Sequence, residues 1–281
     1  MTEPSAKAPS SLFSRQASAA TKQFAVEVCQ HNEPARNTFD QVACEVPVAL
    51  EYNGISHVVM LASPQQLDDF ALGFSLSEGI LQQADELLEL QVHEDKRGYT
   101  VAMQISQRRL SELKQRRRNL AGRTGCGLCG TESLEQALRP LPKVNSLDVS
   151  TAAIQRALRS LSEHQPLQKE TGASHGAAWC DSDGTIQLIR EDLGRHNALD
   201  KLIGAMCSNP VSSPGFVLIS SRASVEMVQK CCTAGLGALV AVSAPTALAV
   251  ESAQAAGLFL AGFARPGRYV IYNQPHKEEQ S

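Results

Sequence analysis

Phe216-Val217-Leu218-Ile219-Ser220-Ser221-Arg222-Ala223-Ser224 is a short unbroken apolar run that breaks into a polar turn. An apolar run this short, closed by turn residues, reads as a fully buried strand, and Ser224 is suited to begin the helix that follows. Working outward, a helix spans Ser224 to Leu236, a strand Ala238 to Ser243, a helix Thr246 to Ala256 and a strand Leu258 to Ala264, with Tyr269 to Tyr272 ending the sheet. Upstream lie a helix over Thr151 to Ser162 and strands over Ala173 to Trp179 and Thr185 to Ile189, turned by Asp181-Ser182-Asp183-Gly184. A helix from Gly194 to Met206 follows, with Ala198, Leu199, Leu202, Ile203 and Met206 as its buried stripe. This alternation predicts an α/β (α+β) unit over residues 151–275, a sheet with helices on its faces.

A second, smaller α+β unit is expected over residues 40–138. Glu45 to Tyr52 and Ile55 to Ala62 are β-rich runs joined by Asn53-Gly54, a strong hairpin signal. Ser63-Pro64-Gln65-Gln66 reads as a helix start, with Ser63 as N-cap, Pro64 at the first helical position and Gln66 closing a capping box. The helix presents Leu67, Phe70, Ala71 and Phe74 to a core and ends at Gly79. Strands are expected at Leu87 to His93 and Tyr99 to Ile105, then a basic helix from Arg109 to about Leu120. Its leucines Leu110, Leu113 and Leu120 face inward, with the Arg and Lys side chains outside. Residues 139–150, with Pro140 and Pro142, read as a linker, and residues 1–39 as a disordered tail without an apolar signal segment.

The 281 residues carry a net charge of −3, which gives the whole molecule no general affinity for nucleic acid or an anionic membrane. Charge is concentrated locally. Seven Lys or Arg stand between Arg108 and Arg123 against one acid, Glu112, which points to an anionic partner. Eight cysteines in a chain this long do not make a disulfide scaffold, and a cytoplasmic protein is expected.

The basic stretch leads into Gly125-Cys126-Gly127-Leu128-Cys129-Gly130. A free thiol has a pKa of about 8.5, and neighbouring cations lower it toward the reactive thiolate. No second ligand pair completes a zinc site, so chemistry at Cys126 and Cys129 is favoured over structural metal. Glycines on both sides suit an arm that hands something over. Cys231 and Cys232, adjacent on a helix, read as core residues.

Two further stretches could hold phosphate. Ser221, Arg222 and Ser224 supply hydroxyls and a guanidinium at a helix N-terminus. Phe263-Ala264-Arg265-Pro266-Gly267-Arg268 is a cationic turn with two forked donors, though a tight hairpin with incidental arginines would look the same. Asp192 is placed to cap the helix after it, and His196 and Asp200, spaced i, i+4, to bond each other.

Four stretches taken together resemble the FdhD family of formate dehydrogenase accessory sulfurtransferases. They are Gly122 to Gly130, Glu191-Asp192-Leu193-Gly194-Arg195-His196-Asn197-Ala198-Leu199-Asp200-Lys201, Ser220 to Lys230, and Arg265-Pro266-Gly267-Arg268. The resemblance implies a homodimer whose C-terminal domain has the cytidine deaminase fold. It also implies that Cys126 carries a persulfide received from a cysteine desulfurase, with Cys129 as its loop partner. The recipient would be the molybdenum bis(molybdopterin guanine dinucleotide) cofactor of formate dehydrogenase, bound as substrate through Phe263 to Arg268. The deaminase zinc signature is absent from the sequence, which disfavours deamination. A non-catalytic cofactor chaperone is the alternative reading.

Overall fold

The computed structural model describes residues 20–121, 140–209 and 214–275. Strands β3 (Val46–Tyr52), β4 (Ile55–Ala62), β5 (Leu87–Asp95) and β6 (Gly98–Ile105) form a sheet in the order β4-β3-β6-β5. Only the β3/β6 pair is parallel. Every second residue of β3 points inward, so Val48, Leu50 and Tyr52 meet Val101 and Met103 of β6 on one face. Helices α1 (Leu67–Ser77) and α2 (Gln107–Ala121) cover that face with Phe70, Ala71, Phe74, Leu110 and Leu113.

The second sheet runs β12-β11-β10-β9-β7-β8, from β7 (His175–Asp181), β8 (Ile186–Asp192), β9 (Gly215–Ile219), β10 (Ala238–Ala241), β11 (Phe259–Arg265) and β12 (Arg268–Asn273). Strands β9, β10 and β11 are mutually parallel, whereas β7 is antiparallel to both β8 and β9. Helix α3 (Thr151–Ser160) packs Ala153, Ile154 and Ala157 on one face of this sheet. The other face is covered by α5 (Arg195–Ser208), α6 (Val225–Thr233) and α7 (Ala247–Ala256), through Leu199, Leu202, Met227, Cys231 and Ala253. Between α3 and β7 lies the short α4 (Pro166–Thr171). The mixed α/β architecture agrees with the sequence reading.

Two local expectations need correction. Most of residues 20–39 are not a disordered tail: β1 (Thr21–Val28) and β2 (Arg36–Ala43) pair antiparallel from Thr21↔Ala43 to Val28↔Arg36. Residues 1–19 of the expected tail lie outside the described residues. Nor does Ser63 cap α1. The helix starts at Leu67 after Gln66 in a left-handed conformation (φ 50°), because the Ser63 hydroxyl is drawn into a buried ion pair described below. The stretch read as a linker is irregular over 140–150 but packed, with Val144 N donating to Ala256 O at 3.0 Å and Val149 buried.

Helix α1 joins the two halves. It lies on α5 so closely that a Cβ on Gly73 would overlap the Asp200 carbonyl oxygen, and one on Gly204 the Asp69 carbonyl oxygen. In an exposed helix, replacing glycine with alanine stabilises by about 1 kcal/mol. Here the sign reverses: Gly73→Ala is expected to destabilise by about 3 kcal/mol, as overpacked cores do. Urea unfolding measures this, and an unchanged or higher midpoint would refute the tight crossing.

Candidate functional site at the carboxyl edge of the parallel strands

In open α/β sheets the backbone beyond the carboxyl ends of parallel strands is free to meet a ligand. Here β9, β10 and β11 all end at one edge. Their trailing residues are laced together, with Ser243 N donating to Ser221 O at 3.3 Å and Phe263 N to Ser243 O at 3.0 Å. Ala223 N bonds Ala244 O at 3.2 Å, and Thr246 N bonds Ala223 O at 3.0 Å. The two stretches read from sequence as phosphate-binding, Ser221 to Ser224 and Phe263 to Arg268, are therefore neighbours. Strand β8 is parallel to β9 through β7, so it also ends here and delivers Gly194 and Arg195 to the same edge.

Within this edge the side chains differ in availability. Phe263 stands at φ 49° and is 43% exposed, an aromatic surface offered to solvent. Ala264 is fully buried and presents nothing. Arg265 turns its Nη1 back onto the carbonyls of Val242 and Ala264, closing the end of β10. Gln155 on α3 braces the turn, bonding Arg265 O at 3.2 Å and accepting from Gly267 N at 2.6 Å. Gly267 takes φ 82°, which the turn needs. Pro266 and Arg268 are exposed, as is Arg222, whereas Ser221 and Ser224 are buried at the head of α6.

Helices α5 and α6 bring their N-termini to this edge. Gly194 is the N-cap of α5 and supplies no side-chain cap. Arg195 Nε, His196 Nε2 and Ser224 Oγ are buried without a hydrogen bond of good geometry. Burial first, then the charges of Arg195 and Lys230, push His196 down to about 4, so its ring is neutral at physiological pH. Burial and Arg195 also lower His175 at the start of β7. Glu226 is held below the usual carboxylate range against partial burial, by Ser224, its own backbone amide, His196 and Arg195.

The expected His196–Asp200 pair does not form. Asp200 is buried and bonds Ser77 Oγ at 2.6 Å and Lys230 Nζ at 2.9 Å. Lys230 also reaches Glu78 at 2.9 Å, and these two carboxylates keep its proton bound despite burial. Asp192 does more than cap a helix. Its Oδ1 accepts from Gly194 N and Asn197 Nδ2, both at 3.0 Å. Its Oδ2 pairs with Lys201 Nζ at 2.7 Å and accepts from Ser63 N and Oγ. Lys201 and Asp192 are both fully buried, and Lys201 in turn donates to Ser63 Oγ at 2.7 Å. These lysines were missed in the sequence reading, although Lys201 sits within the buried stripe of α5 where an unpaired ammonium could not remain.

The basic helix is less uniformly free than its composition suggested. Arg109 is 2% exposed and locked between Glu86 at 2.8 Å and Glu112 at 2.7 Å, because Leu110 and Leu113 turn that side of α2 onto the core. Arg108 lies within 4.0 Å of Glu86. Side chains from Arg116 onward, and the Cys126 and Cys129 loop with them, lie outside the described residues. Cys231 and Cys232 are buried core residues, as expected, and burial pushes the Cys232 thiol up to about 11.

Residues 43–278 match the profile of the FdhD/NarQ family. A protein of Cupriavidus necator named sulfur carrier protein FdhD is 55% identical over 240 residues, covering 85% of this chain and 83% of its own. Proteins of the same name from Variovorax paradoxus and Bordetella petrii are 54% and 51% identical, covering 84% and 85% of this chain and 86% of their own in each case. A crystal structure described as a putative formate dehydrogenase accessory protein from Desulfotalea psychrophila shares the fold. It has a TM-score of 0.73 at 22% identity, over 92% of this chain and 98% of that one.

Proposed function

The chain belongs to the FdhD/NarQ family, and from that premise we propose that it is a cytoplasmic sulfur carrier serving formate dehydrogenase. In this reading the Cys126 thiolate attacks the outer sulfur of a cysteine desulfurase persulfide. A new S–S bond forms on Cys126, the donor's S–S bond breaks, and the donor cysteine leaves as thiolate. In the resolving route the Cys129 thiolate attacks Cys126 Sγ, the persulfide S–S bond breaks and a Cys126–Cys129 disulfide forms. The outer sulfur leaves as hydrosulfide to the molybdenum bis(molybdopterin guanine dinucleotide) cofactor, held as substrate. In the other route Cys129 shares the sulfur with Cys126 by the same exchange as the first step. The working unit is a homodimer.

One observation carries the cofactor half of this reading: Ser221, Arg222 and Ser224 lie at the same sheet edge as Phe263, Arg265 and Arg268. A dinucleotide needs an aromatic or apolar surface for its base and donors for its phosphates, and this edge offers Phe263 beside Arg268, Arg222 and two helix N-termini. Incubation of the full chain with a cysteine desulfurase and cysteine tests the sulfur half. Intact-mass and peptide spectra are expected to place one added sulfur on Cys126 that a thiol reductant removes. A protein that stays unmodified under turnover would favour the chaperone reading instead.

A further inference from the structure

We infer that β5 is an assembly edge: two copies of the chain join by antiparallel pairing of β5 with its counterpart, across a two-fold axis at Gln91. The inference rests on the homodimeric reading above and gives that dimer a surface.

A strand at the border of a sheet carries a row of N–H and C=O groups without ladder partners. Proteins shield such rows with bulges, charge, proline or a covering element. Three of the four borders of the two larger sheets are shielded in this way. On β4 the Leu61 carbonyl accepts from Asn197 Nδ2 at 2.8 Å. Strand β8 holds Arg190 against Asp69 at 2.7 Å and is irregular against β7. Strand β12 slips register twice against β11. The exception is β5, nine residues long with no proline or lysine. After one irregularity at Leu88 it runs in unbroken register from Glu89↔Gln104 to Asp95↔Gly98. Among the described residues no strand pairs with its outer side.

The core of this sheet also runs out to the same border without closing. Leu90 and Val92 lie opposite the buried Met103 and Val101. Leu90 is half-buried against the core, yet Val92 is 43% exposed and the neighbouring Leu88 67%. The apolar face that α1 and α2 cover therefore extends past them to the last strand.

The sequence of β5 is complementary to itself. With Gln91 on the two-fold axis, Leu90 meets the partner's Val92 and Glu89 meets the partner's His93, each contact being made twice. The apolar pairs continue the covered face, while on the other face a carboxylate meets a ring N–H. Gln91 Nε2 donates to Glu89 Oε1 at 2.6 Å, which holds that carboxylate on the outer row. Centring the pair on Val92 would set Glu89 against the partner's Asp95, and centring it on Leu90 would set His93 against the partner's Leu87. Charge thus selects the register. Such a contact closes on itself, giving one continuous eight-stranded sheet from two four-stranded ones and no longer polymer.

Sedimentation equilibrium of the full-length protein tests the assignment. Wild type is expected to be a dimer, with Val92→Lys and Glu89→Lys each weakening self-association at least about tenfold and leaving far-ultraviolet circular dichroism unchanged. His93→Glu alone should weaken it likewise, because it faces Glu89. Combining Glu89→Lys with His93→Glu in one chain should restore it, since opposite charges meet again. Gln91→Cys sets two thiols on the axis, so mild oxidation should link two copies through that position, read from the joined peptide by mass spectrometry. A wild-type dimer that every one of these variants leaves intact would overturn the inference and spare the homodimeric reading. Variants that stay dimeric and lose only co-purification with formate dehydrogenase would overturn it too, giving the edge to a strand of that partner. A monomeric wild type would remove the homodimeric reading together with the inference.

Discussion

Cys126→Ala is expected to reduce formate dehydrogenase activation to background, a loss of more than about 100-fold, while GDP affinity stays within about twofold of wild type. The size follows from the chemistry. Sulfur acceptance needs a lone pair on a polarisable thiolate, and a methyl group has none. Serine at the same position would not rescue, because a hydroxyl of far higher pKa neither ionises at neutral pH nor forms a stable link to sulfur. The check is formate-dependent dye reduction in a strain whose own carrier has been deleted, complemented with wild type or variant. Full activity from the alanine variant would end the relay mechanism. Loss of GDP binding along with activity would instead place Cys126 in the fold or the cofactor site.

The second large effect concerns stability. Lys201→Met is expected to destabilise the protein by about 3–5 kcal/mol, because it strands the fully buried Asp192 carboxylate without its cation. Adding Asp192→Asn should recover a substantial part, since an amide can still accept at one end and tolerates burial far better than an unpaired charge. Denaturant unfolding of the two single variants and the double gives the coupling directly. Additive losses, or a single-variant loss below about 1 kcal/mol, would show that the pair is not the interlock its geometry indicates.

Most of the C-terminal unit was legible because its strands are short apolar runs closed by turn residues. Phe216 to Ile219 and Ala238 to Ala241 are buried at every position, so no register choice was needed to place them. The hairpin Thr21–Ala43 was missed for the opposite reason. Its strands are mostly exposed and rich in polar residues, although Phe24, Val26 and Val28 alternate as a strand should. Ser63 was misread because Ser-Pro-x-Gln is a sound local capping signal, and the partner that overrode it stands 129 residues away. Local rules weigh local competitors only.

The parts of the candidate site could be picked out in the sequence, but not their arrangement. The serine turn and the arginine turn were each recognisable, but their adjacency arises from the parallel register of β9, β10 and β11. His196 was assigned to Asp200 on helical spacing, yet Asp200 turns toward Ser77 and Lys230 on another face. Cys126 and Cys129 stood out by spacing and surrounding charge, which needs no fold at all.

The glycine crossing with α1 has a kinetic corollary. Helix α5 is clamped at Gly204 by a neighbouring backbone and at Asp200 and Lys201 by charge, all within about three turns of its start. Its leading end is thereby denied the rocking motion of a jaw, and for the proposed nucleotide it would be a stiff berth of set width. Nucleotide docking should accordingly proceed in a single exponential phase whose rate rises linearly with concentration, with no slow rearrangement after encounter.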